Sequence, residues 1–241
     1  MGLINLFNPL DLTGYTLVIP SISVGNVPQL SVDLMIKNFE MEKIGTVWHP
    51  GLVASTGADP FDPKSKLVCT ACEIYTNTSL KLAVIQLRST IETKLVLTFF
   101  KELINSLQQL KFSRVYILAT AFDYELHNIA NKHIYYYLTH RPVSEKVTSL
   151  SNWKPYERDP NEKLYISGGG YASKLYELLA EQLTTALLVK YVSEGENVID
   201  AQDFLVKLCE FADINTENIK CIQIPSSWHY VYGAPPPAGI F

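Results

Sequence analysis

The run YTLVI at positions 15–19, closed by Pro20, makes the strongest demand on the fold. A short, nearly unbroken apolar run ended by a proline reads as a strand buried on both faces, and such a strand needs apolar layers above and below it. The residues that follow supply them. From 29 to 39, Leu30, Val32, Leu34, Met35, Ile36 and Phe39 build a broad apolar helix face, and Pro28 fits the first turn, where a missing N–H costs nothing. Residues 43–48 read as a second strand. Residues 67–75 and 80–87 flank Asn77, Thr78 and Ser79 as a β-hairpin. Residues 90–110 form the longest helical pattern, striped by Leu95, Phe99, Leu103, Leu107 and Leu110, and 114–120 returns to strand.

From 121 to 162 the pattern loosens into an irregular insertion with one strand at 134–138. Residues 163–167 read as strand, run into Gly168, Gly169 and Gly170, and precede a helix at 172–182. Residues 184–191 fit a buried strand or a buried helix equally, because periodicity does not separate the two in a short apolar run. Residues 197–211 form a last helix, with Asp200 in the first turn where a carboxylate suits the helix dipole. Strands alternating with helices give an α/β fold: a three-layer α/β/α sandwich with a mixed, mostly parallel sheet. No linker divides the chain, so residues 1–233 are expected to form a single domain, and 234–241 a flexible, proline-rich C-terminal tail.

Bulk properties narrow the function. A hydrophobic fraction of 47% over 241 residues is enough for a sizeable core. The net charge is −4, and Lys and Arg are scattered rather than gathered in a stripe, so nucleic acid is not an expected partner. No run of 18 apolar residues is present to span a membrane. Residues 1–12 carry no Lys or Arg and no apolar core of a leader, which argues against a signal or transit peptide. Cys69, Cys72, Cys209 and Cys221 then read as reduced thiols of a cytoplasmic or nuclear protein.

The chemistry-bearing motifs are thin. Cys69 and Cys72 have C-x-x-C spacing but lie in a strand-like run, where alternation points them to opposite faces, and Cys209 and Cys221 offer no second close pair for zinc. Gly168, Gly169 and Gly170 match neither a dinucleotide nor a P-loop pattern and read as a tight strand-to-helix turn. His49, His127, His133, His140 and His229 lack any metal-binding spacing. Asp123 with Glu125, and Glu194 with Glu196, read as solvated carboxylates. No catalytic residue, metal, cofactor or small-molecule substrate is expected. Tyr135, Tyr136 and Tyr137 stand out, since tyrosine is enriched at protein interfaces. The rival is a small-molecule phosphorylase- or hydrolase-type enzyme, with the glycine turn binding phosphate and His49 or His229 as acid or base.

Five blocks together resemble the proteasome assembly chaperones: PSISVGNVPQLSVDL at 20–34, IQLR at 85–88, SGGG at 167–170, VKYVSEGENVIDA at 189–201 and IPSSWHYVYG at 224–233. The resemblance implies a non-catalytic protein that pairs with proteasome assembly chaperone 1 as a heterodimer. The pair would hold proteasome α-type subunits while their ring forms and discourage off-pathway ring association, with no cofactor. Val24, Gly25, Asn26, Val27 and Pro28 form a tight strand-to-helix connection at a sheet end and, with Tyr136, are the candidate interface residues. In this family the chain end can plug a pocket between α-subunits, with a hydrophobic residue and a tyrosine before the last position. Here Pro235, Pro236 and Pro237 would project the tail as a polyproline segment rising about 3.1 Å per residue. Gly239 stands at the hydrophobic position and Ile240 replaces the tyrosine, leaving Ile240 and Phe241 to dock.

Overall fold

The computed structural model describes residues 2–126, 133–141, 147, 149–157, 163–217 and 219–230. In chain order the strands are β1 (Ile4–Leu6), β2 (Thr16–Pro20), β3 (Glu42–Val47), β4 (Thr56–Ala58), β5 (Val68–Thr70), β6 (Cys72–Asn77), β7 (Leu82–Leu87), β8 (Arg114–Phe122), β9 (Tyr135–Thr139), β10 (Trp153–Pro155) and β11 (Thr185–Val192). The helices are α1 (Val27–Asn38), α2 (Val96–Gln109), α3 (Ala172–Ala180) and α4 (Val198–Ala212). All strands except β4 and β5 join one sheet in the order β1-β3-β6-β7-β2-β8-β11-β9-β10, and β4 and β5 pair separately.

The first apolar run becomes β2, at the centre of the sheet, parallel to β7 on one side and β8 on the other. Alternation divides its side chains. Leu17 and Ile19 enter one core with α2 and α3, while Val18 enters a second core with α1 and α4. Strands β8 and β11 do the same, which is why the three runs are apolar at nearly every position. The result is the expected α/β/α sandwich. The sheet is parallel at its centre, through β7, β2, β8 and β11. Its β1-β3-β6-β7 flank and the β11–β9 pair are antiparallel, and β9–β10 is parallel, so the parallel expectation holds at the core rather than throughout.

Several boundaries differ from expectation. Residues 67–75 break at Ala71: β5 pairs with β4, and only β6 joins the main hairpin with β7. Residues 163–167 are not a strand. Leu164 and Ile166 are buried among the α2/α3-side residues, which explains the period-two signal, but the segment meets the sheet only at its end, where Phe122 N–H donates to Ser167 O at 3.3 Å. The ambiguous run at 184–191 is a strand, laddered to β8 and β9. The loose insertion holds β9 and a further strand, β10, and a short β1 precedes the first expected strand.

Candidate interaction site

The central parallel strands end along one rim of the sheet, the usual place for a site in a fold of this kind. Four connections converge there: β2 to α1, β8 to the 3-10 turn at Asp123–Glu125, the glycine turn before α3, and β11 to α4. Small polar side chains tie them together. Ser23 Oγ and Thr120 Oγ1 share a hydrogen bond of 2.8 Å, Thr120 Oγ1 donates to Val24 O at 2.6 Å, and Thr120 N–H donates to Ser23 Oγ at 3.1 Å. Val24 N–H donates to Gly168 O at 2.8 Å, and Ser21 Oγ donates to Gly169 O at 2.8 Å. Asn197 Nδ2 reaches Gly25 O at 3.4 Å and Gly195 O at 3.0 Å, and Ser193 Oγ donates to Asp123 Oδ2.

Each of these groups is spent on another residue of the rim. Gly25 at φ +70° and Asn26 at φ +53° turn the chain from β2 into α1, and Pro28 sits in the first turn of that helix. Among the five candidate residues here, Asn26 is exposed and Gly25 half-buried, while Val24, Val27 and Pro28 pack inside. Beside them Tyr124 and Ile199 are exposed, Phe122 stacks on Tyr124 with ring centroids 4.9 Å apart, and the Glu125, Glu194 and Glu196 side chains are exposed.

Two ion-pair networks fix the helices of the α1/α4 layer. Arg88, just past β7, donates to both carboxylate oxygens of Asp33 on α1, at 2.7 and 3.1 Å, and Gln86 Nε2 on β7 joins at 2.7 Å. Lys190, buried on β11, lies 2.8 Å from Asp203 Oδ2 and 3.0 Å from Asp200 Oδ1 on α4, and the Tyr135 hydroxyl donates to Asp203. Burial alone would raise Asp203, but the hydrogen bonds from Lys190 and Tyr135 and the lysine charge outweigh it and hold the carboxyl below its ordinary range. Neither network follows from the motifs and spacing of the sequence. The available signal was a charged residue inside the apolar run of β11, which in a buried strand requires a partner.

Residues named for the enzymatic rival do not meet. Gly168 and Gly170 adopt φ of +78° and +60°, and a Cβ at Gly170 would collide with the Ile22 carbonyl. The turn spends Gly169 N–H on Ile166 O at 2.9 Å, and its Gly168 and Gly169 carbonyls on the β2–α1 loop. His49 is buried against Phe99 beyond the end of β3, its Nδ1 accepting from Gly51 N–H at 2.9 Å, and His229 lies in a 3-10 turn after α4. All four cysteines are free. Burial pushes the Cys72 thiol far up, and Cys209 up to about 12, so neither is poised as a nucleophile.

Tyr136 sits away from the glycine turn, on β9. Its neighbours Tyr135 and Tyr137 point to the α4 side, where Tyr135 stacks with Phe204 and Tyr137 meets Phe211. Tyr136 points to the opposite face, edge-to-face with Tyr156 and Tyr191 at 6.2 and 5.5 Å. The three tyrosines wall a cleft of about 510 Å³ completed by Glu125, Leu126, Lys154, Pro155 and Glu157. The tail residues Gly239, Ile240 and Phe241, with Pro235, Pro236 and Pro237, lie outside the described residues, as does His127.

Comparison with known proteins places this architecture. The model of the PAC2 family matches residues 17–216. A Xenopus tropicalis protein named proteasome assembly chaperone 2 is 32% identical over 248 residues, covering 94% of this chain and 95% of its own length. The Homo sapiens protein of that name is 31% identical over 255 residues, covering 96% of each chain. Among solved structures, Pyrococcus furiosus PbaA, an archaeal homolog of proteasome-assembly chaperone, shares the fold with a TM-score of 0.67 at 16% identity, covering 89% of this chain and 88% of its own. Pyrococcus furiosus PbaB, an archaeal proteasome activator, does so with a TM-score of 0.65 at 11% identity, covering 89% and 90%. With the family model spanning most of both cores and of the parallel centre, the chain belongs to the PAC2 family.

Proposed function

We propose that this chain is a non-catalytic chaperone of proteasome assembly. The observation that carries the reading is the end-to-end similarity to curated relatives named proteasome assembly chaperone 2. The rim geometry supports it: Ser23, Thr120 and Asn197, the polar groups a catalytic site would draw on there, are spent on holding loops together. Exposed Tyr124 and Ile199 beside them suit contact with another protein.

In finer terms, the chain pairs with proteasome assembly chaperone 1, and the pair holds α-type subunits while their ring closes, in the cytoplasm and nucleus. Gly25 and Asn26 at the rim, and Gly239, Ile240 and Phe241 in the tail, are assigned to partner contact. Size-exclusion chromatography of the purified chain with proteasome assembly chaperone 1 and α-type subunits is the test. A one-to-one pair that retains α-type subunits is expected, with weaker retention once residues 239–241 are removed. A chain that elutes alone from both partners contradicts the reading, and unchanged retention after truncation removes the tail from it.

A further inference from the structure

We propose that the cleft walled by Tyr136, Tyr156 and Tyr191 receives a basic segment, bearing arginine or lysine, of a partner protein. Helix α3 packs over β8 and β11 on the α2/α3 side of the sheet, and among the described residues no helix continues over β9 and β10 on that side. Among the described residues the aromatic face there is half-buried and borders the cleft, whereas the same strands are covered by α4 on the other side, where Tyr135, Trp153 and Phe211 are packed together.

Charge selects the occupant. Among the described residues Glu125 and Glu157 line the cleft with one cation, Lys154, and Glu194 and Glu196 stand exposed on the β11–α4 loop that continues from Tyr191. Burial raises both Tyr156 and Tyr191, and the Glu125 charge adds to it, so their hydroxyls stay neutral. Carboxylates beside electron-rich rings attract a cation both by ion pairing and through the ring quadrupole, with arginine favoured by its planar, weakly hydrated head. The rings are already held edge-to-face, and Tyr156 Oη donates to Tyr165 O at 3.3 Å, so the walls are ordered before anything binds. The size of the cleft admits more than one side chain, as an extended segment requires.

This inference rests on the binding role proposed above, and the test keeps the two apart. The full-length chain, the charge-reversed variant Glu125→Lys/Glu157→Lys and a control, Glu40→Lys/Glu42→Lys, at exposed positions flanking the start of β3, are titrated with purified proteasome assembly chaperone 1 and, separately, α-type subunits. All three should melt alike, because the four glutamates are exposed. Affinity for one of the two partners should fall at least about tenfold in the cleft variant, as expected for a close interfacial charge pair. The control should bind as the unaltered chain does. The milder Tyr136→Leu variant should weaken the same partner and spare the other. Binding by the unaltered chain with no loss in the cleft variant overturns the cleft assignment and leaves the chaperone reading standing. An equal loss in the control overturns it too, because the effect would then be one of net charge. Failure of the unaltered chain to bind either partner sinks the chaperone reading and this inference with it.

Discussion

At the scale of single residues, the fold depends on a few positions where backbone and charge leave little choice. Gly170 and Gly14 both have positive φ, but a Cβ at Gly170 would strike the Ile22 carbonyl, while one at Gly14 meets nothing within 4 Å. Gly14→Ala should therefore cost only the left-handed backbone penalty, about 1–2 kcal/mol, and Gly170→Ala clearly more. In a chain of this size each kcal/mol lowers Tm by roughly 2–4 °C, so paired melting curves separate the two, and equal losses would contradict the close packing at Ile22. Asp203 makes a second residue-scale prediction. Its carboxyl is held below the ordinary range in the folded chain, so its contribution to stability is complete above the ordinary carboxylate pKa of about 3.9 and is lost as pH falls through the lowered value. Asp203→Asn should thus lower stability at neutral pH and flatten the acid limb of the stability profile. An acid limb as steep as that of the unaltered chain would show that the Lys190 and Tyr135 contacts do not tune this group.

At the scale of elements, the sequence is legible where one physical cause acts alone. The helix α2 stripe of Phe99, Leu103 and Leu107 is buried as its spacing demands, and Leu97, off the stripe, is half-exposed. Leu103→Ala should cost about 2–5 kcal/mol and Leu97→Ala less than about 0.5, read from denaturant midpoints at constant slope. Similar costs at both positions would mean that α2 does not pack as described. Legibility fails where two causes leave the same trace. Strand β11 is apolar because it is covered on both faces, and a buried helix would look the same; its ladders to β8 and β9 decide the matter. Leu164 and Ile166 alternate like a strand, yet their backbone runs alongside the core without joining a ladder. The break at Ala71 left no mark, because β5 and β6 are both strands and differ only in which partner they pair with.

Across the whole molecule, four of the five sequence blocks that carry the resemblance prove to be neighbours in space. Asp33, from the block at 20–34, binds Arg88 and Gln86 of the block at 85–88. Ser21 and Val24 bind the glycine turn at 167–170, and Gly25 and Ser31 accept from and donate to the block at 189–201, through Asn197 Nδ2 and the Ala201 carbonyl. These residues hold α1, α4 and the rim in one arrangement, which accounts for their legibility: they serve the fold as much as any surface. The cleft was only half legible. Tyr136 could be singled out from its tyrosine run, but Tyr156 and Tyr191 lie 20 and 55 positions away, and only the pairing of β9 with β10 and β11 brings the three rings together. A surface built from distant strands leaves no local pattern to read.

Whether this chain acts on proteasome assembly by binding alone, as proposed, is decided by native mass spectrometry of α-type subunits assembling with and without it. The chain, together with proteasome assembly chaperone 1, is expected to shift the products toward single seven-membered α-rings carrying one chaperone pair, with no covalent change in any component. An unchanged distribution of α-type species, with the chain recovered free of them, would contradict it.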